Sequence, residues 1–108
     1  MRIEYKNEGK YASYLLDGNS LIFCDGELSL DLAMLQEDYP VKLTVSKNSE
    51  GKLKTGVSER YVAEIYIPER KSIVERTGAV NPFGFPMLRY SFAPFDMDEV
   101  VLTLWAVR

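Results

Sequence analysis

Apolar and polar residues alternate with a period of two along much of the chain, and no stretch sustains the 3.6-residue period of an amphipathic helix. Val41, Leu43 and Val45 alternate with Lys42, Thr44 and Ser46; Ala63, Ile65 and Ile67 alternate with Glu64 and Tyr66. Leu88, Tyr90 and Phe92 alternate with Arg89 and Ser91, which places them on one strand face and, by this pattern, in the core. The segment Val100 to Val107 is apolar on both faces apart from Thr103, so it reads as a central strand covered on two sides or as one side of an interface.

Turn chemistry divides these runs. Asp17-Gly18 separates Tyr11–Leu16 from Asn19–Cys24, and Asp25-Gly26 separates that strand from Glu27–Met34. Asp-Gly favours two-residue hairpin loops because both positions tolerate positive φ. Asn48-Ser49-Glu50-Gly51 links the strand at 41–47 to 52–56, and Pro68-Glu69-Arg70-Lys71 is expected to link 60–67 to a partner at 72–77. Ala93 to Asp98 joins a strand near 87–93 to the last one. Leu28, Leu30, Leu32 and Met34 fit a strand, with room for a helical turn near Leu35–Asp38 before Pro40. The pattern predicts one all-β domain over residues 1–108. Its architecture is an antiparallel meander of about nine or ten short strands, forming a sandwich or a small, partly open barrel.

Composition changes this picture mainly by exclusion. With no histidine and a single cysteine, Cys24, the chain forms no internal disulfide. Zinc sites of four cysteines or of two cysteines and two histidines are excluded, as are Ser-His-Asp and Cys-His catalytic arrangements. A domain of this length buries roughly 65% of its unfolded surface, enough to fold without a metal or cofactor. The apolar runs are too short to span a membrane, and the charged first ten residues lack the apolar stretch of a signal peptide, so cytoplasmic residence is expected.

Charge is uneven. Residues 1–41 carry three basic and eight acidic side chains, and residues 42–76 carry eight basic and five acidic. Alternation of Lys and Arg with apolar residues is the usual solvation of a strand face, which also protects edges. The seven tyrosines (Tyr5, Tyr11, Tyr14, Tyr39, Tyr61, Tyr66, Tyr90) suit half-buried strand positions, and no cluster interleaves them with Lys and Gly as nucleic-acid platforms do.

The candidate chemistry is sparse. Asp96, Asp98 and Glu99 share one turn, but they offer fewer oxygen ligands than a Ca²⁺ loop needs, so turn formation explains them better. Glu64 and Glu75 would face each other in a hairpin tipped at Glu69-Arg70, raising one carboxyl pKa. Like charges directly opposite are also simply destabilising, so the register is left open. Cys24 follows an apolar run with no basic neighbour to activate it, which fits inert packing.

One region stands apart. Residues 81–95 hold four of the five Phe and three of the five Pro. Aromatic area on a Pro-stiffened backbone loses little entropy on contact. Phe83 and Phe85 flank Gly84 in a loop that either plugs one end of the fold or meets a partner, and Phe95 and Trp105 complete the candidate contact surface. The expected function is a non-enzymatic protein-interaction or assembly module whose partner is another protein or a second copy. The alternative is a small barrel holding an apolar or aromatic ligand in an internal cavity.

Overall fold

The computed structural model describes residues 1–106. Ten strands, one α-helical turn and two short 3-10 turns (Cys24–Gly26 and Met97–Glu99) form among the described residues: β1 Arg2–Tyr5, β2 Tyr14–Asp17, β3 Ser20–Phe23, β4 Leu28–Asp31, α1 Leu32–Leu35, β5 Val41–Lys47, β6 Leu53–Thr55, β7 Arg60–Ile67, β8 Ser72–Val80, β9 Pro86–Phe92 and β10 Val101–Leu104. The fold is all-β, as the alternation predicts, and the strands make three separate sheets with no closed barrel.

A five-stranded sheet runs in the order β1-β10-β7-β5-β6, and a three-stranded sheet is the meander β2-β3-β4. Pairing is antiparallel except between β1 and β10, which run parallel. Alternation sorts each strand: Ala63, Ile65 and Ile67 of β7, Leu102 and Leu104 of β10, and Val45 of β5 are buried. They share one core cluster with Leu21 and Phe23 of β3, Leu30 of β4 and Leu32 of α1. Two sheets with their apolar faces in one core make a sandwich-like body.

The turns follow their residues. Asp17-Gly18 closes β2 onto β3, with Asp17 opposite Ser20 and Gly18 at φ 60°. Between β3 and β4, Cys24 and Asp25 both take positive φ (51° and 57°) ahead of Gly26. Asp31 ends β4 and caps α1 through a 3.2 Å bond from the Met34 amide to its side-chain oxygen, so the helical turn starts three residues earlier than expected.

Two expectations are corrected. Strand β7 does not pair with 72–77; it lies between β5 and β10, with Glu64 opposite Thr44 and Thr103. Residues 72–92 leave the body, and there β8 pairs with β9 alone, with Glu75 opposite Arg89. The like-charge opposition is thereby replaced by an opposite-charge pair. The last strand is central, as expected, but ends at Leu104; Val107 lies outside the described residues.

The β8–β9 hairpin gives the molecule its shape. Its principal extents are 66 × 22 × 21 Å and its radius of gyration is 19.0 Å. A compact chain of this length would have a radius near ~13 Å. Nine residues of β8 at ~3.3 Å each account for an arm of about 30 Å.

Candidate functional site: an exposed β-arm

The arm's tip is built by Asn81. Its backbone carbonyl accepts from the Gly84 amide at 2.9 Å, and its amide donates to the Phe85 carbonyl at 2.9 Å. Its side-chain Oδ1 accepts from the amides of Phe83 (2.9 Å) and Phe85 (3.0 Å). Pro82 pre-sets the first turn position and Gly84 sits at φ 83°, so Asn-Pro-Phe-Gly forms a turn closed by a left-handed glycine. Three residues further back, Gly78 (φ 80°) lies in a bulge where β8 has extra residues between Arg76↔Leu88 and Val80↔Pro86.

This tip does not fold back as a plug. Phe83 is 84% exposed and Phe85 65% exposed, and along the arm Tyr90 and Phe92 are 71% and 59% exposed. Leu88, Tyr90 and Phe92 do share a face, as their alternation predicts, but that face is open rather than core. Register places Val74 beside Tyr90 and Arg76 beside Leu88 on it. The opposite face carries the pairs Glu75–Arg89 and Ile73–Ser91. Period-two patterning reports which residues share a face; here, among the described residues, no strand or helix covers it, and only Arg70 at the root reaches Phe92.

Of the four residues singled out by sequence, the structure brings Phe83 and Phe85 together on the tip. Phe95 and Trp105 stay with the body. Phe95 is half-buried against the core cluster. Trp105 is half-buried, with its ring centroid 5.6 Å from that of Tyr61.

The arm's root is held by residues that periodicity did not single out. Arg70 Nη2 donates to the Gln36 carbonyl at 2.7 Å, its amide donates to the Glu37 carbonyl at 3.0 Å, and Nη1 lies 3.7 Å from Asp38. Gln36, buried, returns a 3.0 Å bond from Nε2 to the Pro68 carbonyl. Lys71 Nζ donates to Glu99, and the Ala93 amide donates to the Lys71 carbonyl at 2.7 Å. The hydrogen bond and charge of Glu99 raise the Lys71 amine above its ordinary 10.5. The Pro68-to-Lys71 stretch therefore anchors the arm instead of turning a hairpin.

The remaining candidates have local roles. Asp96 Oδ1 accepts from the Asp98 amide at 3.0 Å, the turn-forming role expected of it. Glu64 lies half-buried on β7 while Glu75 is exposed on the arm, so no carboxylate pair forms between them. Cys24 packs partly against the core. Among the described residues no group of three or more potential ligands could hold a metal ion, and no helix is long and apolar enough to cross a membrane. The alternative of a ligand inside a barrel lacks the closed barrel.

The chain matches no protein-family model, no curated protein and no solved structure.

Proposed function

We propose that this protein is a non-enzymatic assembly module whose β8–β9 arm is its contact element. The observation that carries this reading is the exposure of aromatic residues on a two-stranded ribbon outside the core. At about 200 Å² per ring side chain, Phe83, Phe85, Tyr90 and Phe92 present roughly 550 Å² to solvent. Spread over the tip and one face of the arm, that sum is of the size of the largest apolar patch on a typical monomer, about 300–600 Å². The exposed Val74, Val80, Met87 and Leu88 bring the arm towards the ~800 Å² that one partner contributes to a standard interface.

Stability points the same way. A lone two-stranded ribbon is marginal in water, since each strand has one neighbour and neither face is covered. A partner that covers the arm would supply the missing layer. The tip is already ordered by Asn81, so little entropy is lost when its rings are buried.

Site-specific photo-crosslinking tests this reading. A photoreactive residue replacing Phe83 should yield covalent adducts in cells, with this protein or another one, while one replacing exposed Glu50 on the β5–β6 turn should not. Equal adduct yields at both positions would overturn it.

A further inference from the structure

We infer that the arm's partner is a second copy of this chain, and that it docks on the outer face of the neighbour's three-stranded sheet in a head-to-tail contact. The inference rests on the arm being a contact element and adds the identity of what it contacts. Charge selects the occupant. Residues 72–92 carry two basic side chains (Arg76, Arg89) against one acidic (Glu75), leaving the arm at +1, while Lys71 at its root is paired with Glu99. Residues 11–35, which build the three-stranded sheet, carry Asp17, Asp25, Glu27 and Asp31 and no lysine or arginine. Arm against arm would bring two positive elements together. Arm against this sheet brings opposite charges together, which favours that encounter and disfavours the other.

The receiving face also has the right character. Register puts Leu15 beside Ile22, and Ile22 beside Ser29, on the side of the sheet away from Leu21, Phe23 and Leu30. Leu15 is 63% exposed. A shallow depression beside them is lined by Ser13, Tyr14, Leu15, Ile22, Asp25 and Gly26, with Leu15 and Ile22 as its aliphatic residues and Asp25 as its carboxylate. The arm offers the counterpart: Val74, Leu88, Tyr90 and Phe92 on one face with Arg76 among them, and Phe83 at the tip. Because donor and acceptor surfaces differ, the contact is heterologous. Each copy has one arm and one face, so the assembly grows into a ring or a filament.

The experiment measures the mass of purified protein by light scattering across concentration. An arm variant, Arg76→Ser with Tyr90→Ser, and a face variant, Leu15→Arg with Asp17→Lys, alter exposed positions only. The wild type should associate beyond a dimer, and each variant alone should be monomeric. Their equimolar mixture should recover association only as a one-to-one heterodimer, joining the intact arm of one to the intact face of the other. A photoreactive residue replacing Phe83 in otherwise unaltered protein should crosslink within residues 11–35 of another copy, a readout that does not depend on either variant. A face variant that associates like the wild type would overturn the inference, because the arm would then pack on another arm or elsewhere. So would wild-type protein that stays monomeric to ~1 mM, which corresponds to a binding free energy weaker than about −4 kcal/mol. If such a monomer still forms Phe83-position adducts with a different protein in cells, the contact function stands and only self-assembly fails.

Discussion

The guanidinium carbon of Arg70 lies 5.8 Å from the centre of the Phe92 ring, at the point where the arm leaves the body. The same side chain reaches Gln36 and Asp38, so one residue ties the last ring of β9 to the segment after α1. A cation over an aromatic face is worth about 0.5–1 kcal/mol at exposed sites. The charge-assisted bond to a half-buried carbonyl contributes about 1.5–3 kcal/mol at most. The exposed partner Asp38 adds little, because solvent screens it.

Arg70→Ala should therefore loosen the arm's root more than it unfolds the body. The expected result is faster amide exchange through β8 and β9, with the exchange of β7 and β10 unchanged. Arg70→Lys should recover part of the protection, since an ammonium reaches one acceptor but lacks the planar stacking surface. Equal loss of protection in body and arm would show that the root is no separate hinge point.

The division between body and arm also sets the scale of two other substitutions. Phe23 is fully buried, and Phe23→Ala should cost about 3–5 kcal/mol in denaturant unfolding. Phe83→Ser with Phe85→Ser should change stability by less than about 0.5 kcal/mol, as expected of surface positions. A cost above ~2 kcal/mol for the tip pair would mean that those rings are packed in solution.

The tip's order should depend on one amide side chain. Asn81→Ala removes the Oδ1 acceptor of the Phe83 and Phe85 amides and should weaken the turn by about 1 kcal/mol. Loss of exchange protection should stay within residues 80–86. If the tip amides exchange as in the wild type, the backbone turn alone holds the loop.

What was legible in the sequence follows the range of each interaction. Asp17-Gly18 and Asp25-Gly26 announced their hairpins because turn conformation is decided by adjacent residues. The parallel pairing of β1 with β10 joins residues about a hundred apart and leaves no local signal. Asn-Pro-Phe-Gly contained its turn, with Asn first, Pro second and Gly fourth, so the ordered tip was readable. Its exposure was not. Leu88, Tyr90 and Phe92 have the pattern of a buried strand, and only the absence of a third strand beside β8 and β9 distinguishes them. Arg70 gave no signal either, since its partners Gln36 to Asp38 are brought to it by the fold.

At the other end of the body, Gly9 approaches the C-terminal segment closely. A Cβ built on Gly9 would stand 2.7 Å from the Ala106 Cβ, and its φ of 143° is one that side chains rarely adopt. Beside it, Asn7 Oδ1 accepts the Ala106 amide at 2.6 Å. Gly9→Ala should cost about 1–3 kcal/mol, combining overpacking with backbone strain. An unchanged denaturation midpoint would show that the 6–10 loop can move aside freely.

The second tie at the root is sensitive to pH, and its sign is fixed by Lys71. The hydrogen bond to Glu99 and then the charge of Glu99 raise the amine above 10.5 in the folded protein, with smaller contributions from Asp96 and Glu69. A group whose folded pKa is raised gives its full contribution below the unfolded value and loses it as pH rises through the folded one. The Lys71–Glu99 tie should thus be constant from pH 7 to about 10 and disappear only in stronger alkali. Arg70 keeps its charge throughout that range, so in the wild type the arm should stay anchored after Lys71 titrates. In Arg70→Ala the Lys71 pair is left to hold the root, and the same titration should release the arm. Relaxation of the Val74 and Leu88 methyl groups reads this directly: flat with pH in the wild type, rising with Lys71 deprotonation in the variant. Replacing Glu99 with Gln should lower the Lys71 midpoint and, combined with Arg70→Ala, free the arm at neutral pH. Methyl relaxation in Arg70→Ala that ignores the Lys71 titration would mean that the backbone bond from Ala93 to Lys71 is sufficient to hold the root by itself.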